Sequence, residues 1–162
     1  VLILSIRKHP SMSKVSANFV QFFSCGFIHH LLAQGTTDIK TSYRDIGHKL
    51  APKLLEMYKI HQTNDLDKML LNIKSILANL YSSKRSISIT SDREYYVITE
   101  SDPLLSRSGV KSLNSNNLIA GLIEGLLDAN LFDCDVLVSD GSDESNPNQV
   151  YYLIKNRKGT KF

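Results

Sequence analysis

The stretch Ser86-Ile87-Ser88-Ile89-Thr90, followed across Ser91-Asp92-Arg93-Glu94 by Tyr95-Tyr96-Val97-Ile98-Thr99, decides how this chain is read. Apolar and polar residues alternate strictly through the first run, so its side chains divide between two faces at the two-residue period of a strand. The second run is rich in the β-branched and aromatic residues that suit a pleated surface. Four polar residues join them, and the pair reads as a β-hairpin. Asp102-Pro103 ends the second strand, because proline has no N–H to give to a ladder.

Upstream of the hairpin the period is helical. Asn64-Asp65 caps a helix to about Tyr81, with Leu66, Met69, Leu70, Ile73, Ile76, Leu77, Leu80 and Tyr81 on one face and Asp67, Lys68, Asn72, Lys74, Ser75 and Asn79 on the other. Before it, residues 38–59 repeat apolar side chains every three or four positions: Ile39, Tyr43, Ile46, Leu50, Leu54, Met57 and Tyr58. Thr37-Asp38 supplies a cap, and Pro52 inside this run is expected to kink or divide it. Earlier still, the 23 residues between Lys14 and Asp38 contain no Asp, Glu, Lys or Arg. Val15 to Leu32 reads as a helix closed by Gly35, apolar nearly all round. Asn18, Gln21, His29, His30, Ser16 and Ser24 are too many polar groups for a membrane span. One side of this helix then meets the domain's own core, and the other is a candidate partner surface. Phe19, Phe22, Phe23, Phe27, Ile28 and Leu31, with Tyr43 and Ile46 of the next helix, are its candidate residues.

Downstream, residues 104–114 read as a loop and Asn114 or Ser115 caps a helix from Asn116 to Leu131. Leu118, Ile119, Leu122, Ile123, Leu126 and Leu127 form its apolar stripe, and Glu124 and Asp128 are expected on an exposed polar side. Gly121 and Gly125 border the stripe, where missing side chains permit close approach to another backbone. Phe132 to Ser139 and Val150 to Lys155 are strands joined by an exposed acidic loop. The order α-α-α-β-β-α-β-β gives an α+β class, with helices on one face of an antiparallel sheet. The expected layout is an extension over 1–14, one domain over 15–156 and a frayed tail over 157–162.

Composition agrees with one globular domain. The chain has 162 residues, 42% hydrophobic and 22% charged, too apolar for disorder and long enough for a core without staples. The net charge of +3 is too small to indicate a nucleic-acid binder. It is unevenly spread: residues 1–60 carry eight Lys/Arg against three Asp/Glu, and residues 86–162 seven against eleven. Cys25 and Cys134 make neither a disulfide framework nor a CxxC pair, and no Asn-x-Ser/Thr sequon occurs, which suits the cytosol.

No constellation for chemistry stands out. Cys25 and His29 share a helix face, but two ligands are too few for zinc. Asp140-Gly141-Ser142-Asp143-Glu144 starts like a calcium loop, yet Ser145 and Tyr151 occupy the places that need Gly and Glu. P-loop, GxSxG, HExxH and GxGxxG patterns are absent. The expectation is a non-enzymatic chain with no metal or cofactor.

Residues 94–138 carry a more specific signal. Glu94-Tyr95-Tyr96-Val97-Ile98, Asp102-Pro103-Leu104, Asn117 to Asp128, then Phe132 and Val136 resemble small core subunits of the transport protein particle (TRAPP), a vesicle-tethering complex. The likeness extends over about 14–155, through Ser13-Lys14-Val15-Ser16 and Tyr43-Arg44-Asp45-Ile46-Gly47, and is closest to the subunit 5 type, the 31-kDa subunit of yeast. Within it, Leu118, Ala120, Gly121, Glu124 and Gly125 are the family's packing motif. The resemblance implies a twisted four-stranded antiparallel sheet covered on one face by helices. It also implies a scaffold subunit in ER-to-Golgi transport, heterodimerising through its early helices with a subunit 3 type. The assembled complex would act on a Rab-family GTPase and touch membranes peripherally at the cis-Golgi and endoplasmic reticulum. In isolation the apolar patch would form a homodimer. Two departures accompany the likeness: no Cys lies in Met57 to Asn64, where the subunit 3 type is acylated, and Ser108-Gly109-Val110-Lys111 lacks the Pro of subunit 5 relatives. The alternative function is a lipid or acyl-chain module with an apolar pocket between its helices.

Overall fold

The structure, a computed structural model, describes residues 26–80, 87–91, 95–101, 103, 116–141 and 149–157. A first helix, α1, occupies 26–33. The N-terminal part of the expected helix, with Phe19, Phe22 and Phe23, lies outside the described residues, as do Cys25 and the whole of segment 1–14. Then come α2 (Ile39–Tyr58), α3 (Leu66–Leu80), β1 (Ile87–Ser91), β2 (Tyr95–Ser101), α4 (Asn117–Asp128), β3 (Cys134–Gly141) and β4 (Gln149–Asn156). The four strands form one antiparallel sheet in the order β1-β2-β4-β3. It is an open, twisted sheet with the helices packed on one face.

Local chemistry sets the helix ends. Asp38 caps α2: its carboxylate accepts from the Thr41 N–H at 3.0 Å and the Thr41 hydroxyl at 2.6 Å. Asp65 caps α3 by accepting from the Lys68 N–H at 3.2 Å. At the other end of α1, Gly35 adopts φ +73°. The Thr36 N–H then reaches the Leu31 carbonyl and the Gly35 N–H the Leu32 carbonyl, which satisfies the carbonyls of the last turn. The same closure ends α2 at Lys59 (φ 53°) and follows α4 at Leu131 (φ 65°), where side chains occupy a backbone region that favours glycine.

Two expectations change. Pro52 does not divide its run: α2 is a single helix with the proline inside it. Proline deprives the His48 carbonyl of its helical donor, and that carbonyl lies against Gly125 of α4, where a backbone without a side chain meets it. Glu124 is not on an exposed side: α4 is covered on both flanks, and every residue from Ile119 to Leu127 is buried.

The main core lies between the sheet and the helices α3 and α4. The sheet contributes Ile87, Ile98, Cys134, Val136, Val150, Tyr152 and Ile154 from its inner face. The helices contribute Met69, Leu70, Ile73, Ile76 and Leu77 from α3 and Ile119, Leu122, Ile123, Leu126 and Leu127 from α4. The register confirms the alternation read from the hairpin: Ile98 pairs with Ile89 on one side and Tyr152 on the other, all on the core face.

Candidate functional site: the helical layer

Helices α2 and α4 meet backbone to backbone. A Cβ on Gly47 would sit 2.0 Å from the Leu118 carbonyl oxygen, and one on Gly121 2.0 Å from that of Arg44. On Gly125 it would meet the His48 carbonyl oxygen at 2.6 Å. Three glycines therefore define the seam, two of them from the family packing motif, which also places Leu118 and Ala120 inward. Gly47, the last residue of the Tyr43-Arg44-Asp45-Ile46-Gly47 segment, belongs with them.

Two side-chain rungs cross the same seam, four residues apart on each helix. The Arg44 Nε donates to Glu124 Oε2 at 2.7 Å, and His48 Nε2 lies 2.9 Å from Asp128 Oδ2. From β4's end, Arg157 gives Nη2 to Glu124 Oε1 at 3.2 Å, Nη1 to Asp133 at 2.9 Å and Nε to Asp135 at 2.7 Å. The hydrogen bond to Asp135 is the first cause holding the Arg157 guanidinium well above its usual range. Arg157 thus starts the expected tail with its side chain fixed to β3, to Asp133 just before it and to α4. Glu124 is satisfied by two cations, so burial costs it no unpaired charge. The signal for these pairs was present in the sequence as Arg44/His48 and Glu124/Asp128 at matching i, i+4 spacings.

The candidate partner residues that fall within the described segment divide. Ile28, Leu31 and Tyr43 are buried with Ile39 in a second apolar cluster, separate from the main core, where α1, α2 and Leu118 of α4 meet. Phe27 packs edge-on against Tyr43, with ring centroids 5.3 Å apart. Ile46 is half-buried.

At the far end of α2 the half-buried apolar side chains of Leu54, Leu55, Tyr58, Ile60 and Leu66 pack against the main core where α2 leads into α3. The Tyr58 hydroxyl is buried there without a hydrogen-bond partner. Burial raises its pKa above the ordinary tyrosine value, so at neutral pH it is a donor. Sequence reading placed Tyr58 only as one apolar position of a helix.

Among the described residues, no group of three or more His, Cys, Asp or Glu could hold a metal ion. The Cys134 thiol is buried and pushed up to about 11, chiefly by desolvation and then by Asp128 and Asp133, so it is no thiolate at neutral pH. No described helix is long and apolar enough to cross a membrane.

Comparison with known proteins gives two results. A profile of the family described as transport protein particle (TRAPP) component matches residues 20–157. A curated relative from Encephalitozoon cuniculi (strain GB-M1), provisionally named trafficking protein particle complex subunit TRS31, is 27% identical over 143 residues, 84% of this chain and 97% of that protein. Solved structures of similar shape include H-NOX proteins. One, from work on heme distortion in the H-NOX family, has a TM-score of 0.60 at 11% identity over 94% of this chain and 78% of its own. A point mutant of T. tengcongensis H-NOX has a TM-score of 0.54 at 11% identity over 94% and 80%. At such identity the likeness is one of fold.

These structures correct part of the expectation. An architecture shared with H-NOX proteins is not particular to a tethering complex, and a fold does not carry a function with it. The ER-to-Golgi scaffold role, the Rab-family exchange activity, the subunit 3 type partner, the peripheral membrane contact and the homodimer are therefore withdrawn. The physical ground is visible in α1: Ile28 and Leu31, offered for docking, are buried against α2 and α4 of their own domain.

Proposed function

The chain belongs to the TRAPP component family, and on that premise we propose that it is a member of the TRS31, or subunit 5, type whose helical layer binds a long acyl chain. The type rests on the E. cuniculi relative, which this chain spans almost end to end. The binding reading rests on one observation, the Tyr58 hydroxyl buried without a hydrogen-bond partner in a stretch whose half-buried apolar side chains include Leu54, Leu55, Ile60 and Leu66. An apolar lining with a single oriented polar group suits an amphiphile: the chain lies along the leucines and its carboxyl or ester oxygen accepts from Tyr58. A buried donor left unmade costs about 1–3 kcal/mol, so a ligand that satisfies it gains specificity as well as apolar burial.

Work on one of the H-NOX proteins concerned heme, and the residues here do not fit that group. Among the described residues His29, His30 and His61 are exposed. His48 Nε2 is held by Asp128, and Cys134 stays protonated. The glycine seam leaves no space between α2 and α4 for a macrocycle. No step is routed through such a group.

Native mass spectrometry of the purified chain tests the reading. A retained fatty acid or lipid at one per chain, weakened about fivefold in Tyr58→Phe by loss of one hydrogen bond, is the supporting result. A folded chain that retains nothing and takes up no added fatty acid refutes it.

A further inference from the structure

Among the described residues, strand β3 is an outer strand whose ladder runs only to β4. In an antiparallel ladder, successive residues turn their N–H and C=O alternately toward the neighbour and away from it. The Arg157 N–H donates to the Asp133 carbonyl at 2.9 Å, so position 133 turns toward β4. Positions 134 and 136 then turn to the open side. Theirs are the carbonyls that two guanidiniums occupy: Arg157 Nη2 donates to Cys134 O at 2.9 Å and Arg44 Nη2 to Val136 O at 2.6 Å. One carboxylate, Glu124, holds both arginines.

We propose that Arg44, Glu124 and Arg157 form an edge guard that bars a second strand from pairing with β3. An exposed edge is a template for association, because its unpaired carbonyls accept from any extended chain. Here two of those acceptors are taken by side chains from α2 and from the end of β4, 92 and 23 residues away in sequence. The open length that remains, Val138 to Gly141, is shorter than the five or six residues of an ordinary strand. Glu124 links the two: it pairs with Arg44 at 2.7 Å and with Arg157 at 3.2 Å, while Asp135 and Asp133 hold Arg157 as well, so loss of its charge frees Arg44 first.

The test is the association state of the full chain by light scattering across a concentration series, with circular dichroism to confirm folding. Arg44→Met and Glu124→Gln are expected to associate at concentrations about tenfold below the unaltered chain, with a gain in intermolecular strand signal in the infrared. Val138→Pro added to Arg44→Met is expected to reverse the association. Position 138 turns its N–H to the open side, so proline there loses no ladder bond and denies the carbonyl of an incoming strand its donor. Should Arg44→Met not fold, Arg157→Met gives the same comparison, since that arginine lies outside the helices. The proposal is overturned if the folded variants keep the mass of the unaltered chain, or if association is equal with and without the proline.

Discussion

Replacing Gly121 by alanine tests the seam on which the helical layer is built. The new Cβ would stand 2.0 Å from the Arg44 carbonyl oxygen, with the Arg44 carbonyl carbon and Cα at 2.7 and 2.8 Å. Ordinary contact begins near 3.4 Å, so α2 and α4 must separate by about 1.4 Å. All three neighbours are backbone atoms, and no rotamer relieves them. A displacement of that size stretches the 2.7 Å Arg44–Glu124 bond beyond hydrogen-bonding range and opens the apolar contact around Leu118 and Leu122. Overpacking a core costs about 1–3 kcal/mol, and a rigid neighbour places this case at the upper end. Alanine's helix propensity returns about 1 kcal/mol. The net loss is about 2 kcal/mol, or a fall of about 1 M in the urea midpoint at a slope near 2 kcal/mol/M. Gly26→Ala is the control: nothing lies within 4 Å of its added Cβ, and it should be neutral or slightly stabilising. If Gly121→Ala melts at or above the midpoint of the unaltered chain, the glycine seam is not the close contact described here.

Other substitutions read separate features. Leu131 is 82% exposed with φ 65°, so Leu131→Gly removes backbone strain and should gain about 0.5–1 kcal/mol in thermal melts after the cost of a freer unfolded chain; a loss would mean that its side chain is needed. Asp38 is held below the ordinary carboxylate range first by the Thr41 hydroxyl and then by the Thr41 N–H. Its contribution is present above the unfolded pKa and lost as pH falls through the lower folded value, so Asp38→Ala should be less stable than the parent at pH 7 and indistinguishable from it in strong acid. A gap that persists in strong acid would contradict the cap. In a Cys25→Ser background, Cys134 should resist a thiol reagent at pH 8 and react at once in denaturant, since burial raises its pKa to about 11; fast native labelling would contradict its burial.

Much of the fold was legible because its two periods are clean. Ile87, Ile89 and Ile98 mark one sheet face, and Met69, Leu70, Ile73, Ile76 and Leu77 mark one helix face, and both sets are core. Asp38, Asp65 and Gly35 act as the stops and starts they read as. The burial of Glu124 was not legible, because an acidic residue on a helix signals solvent unless its partners are known. Those partners are Arg44 and Arg157, 80 and 33 residues away. Continuity through Pro52 was hidden for a similar reason. The proline's cost falls on the His48 carbonyl, and only the packed structure brings Gly125 against it. Function was legible least. The helix motif identified the family, but the complex drawn from that likeness did not survive the fold's occurrence in H-NOX proteins. Tyr58 shows in the sequence only as one apolar position of a helix; that its hydroxyl is buried without a partner appears only once the chain is packed.

The most direct measurement of the binding account is an NMR titration of isotope-labelled chain with a long-chain fatty acid. The account predicts saturable one-to-one shifts concentrated between Leu54 and Leu66, reduced in Tyr58→Phe. Shifts that never saturate, or that fall on the outer face of the sheet at Val97, Leu137 and Leu153 while Tyr58 stays still, would contradict it.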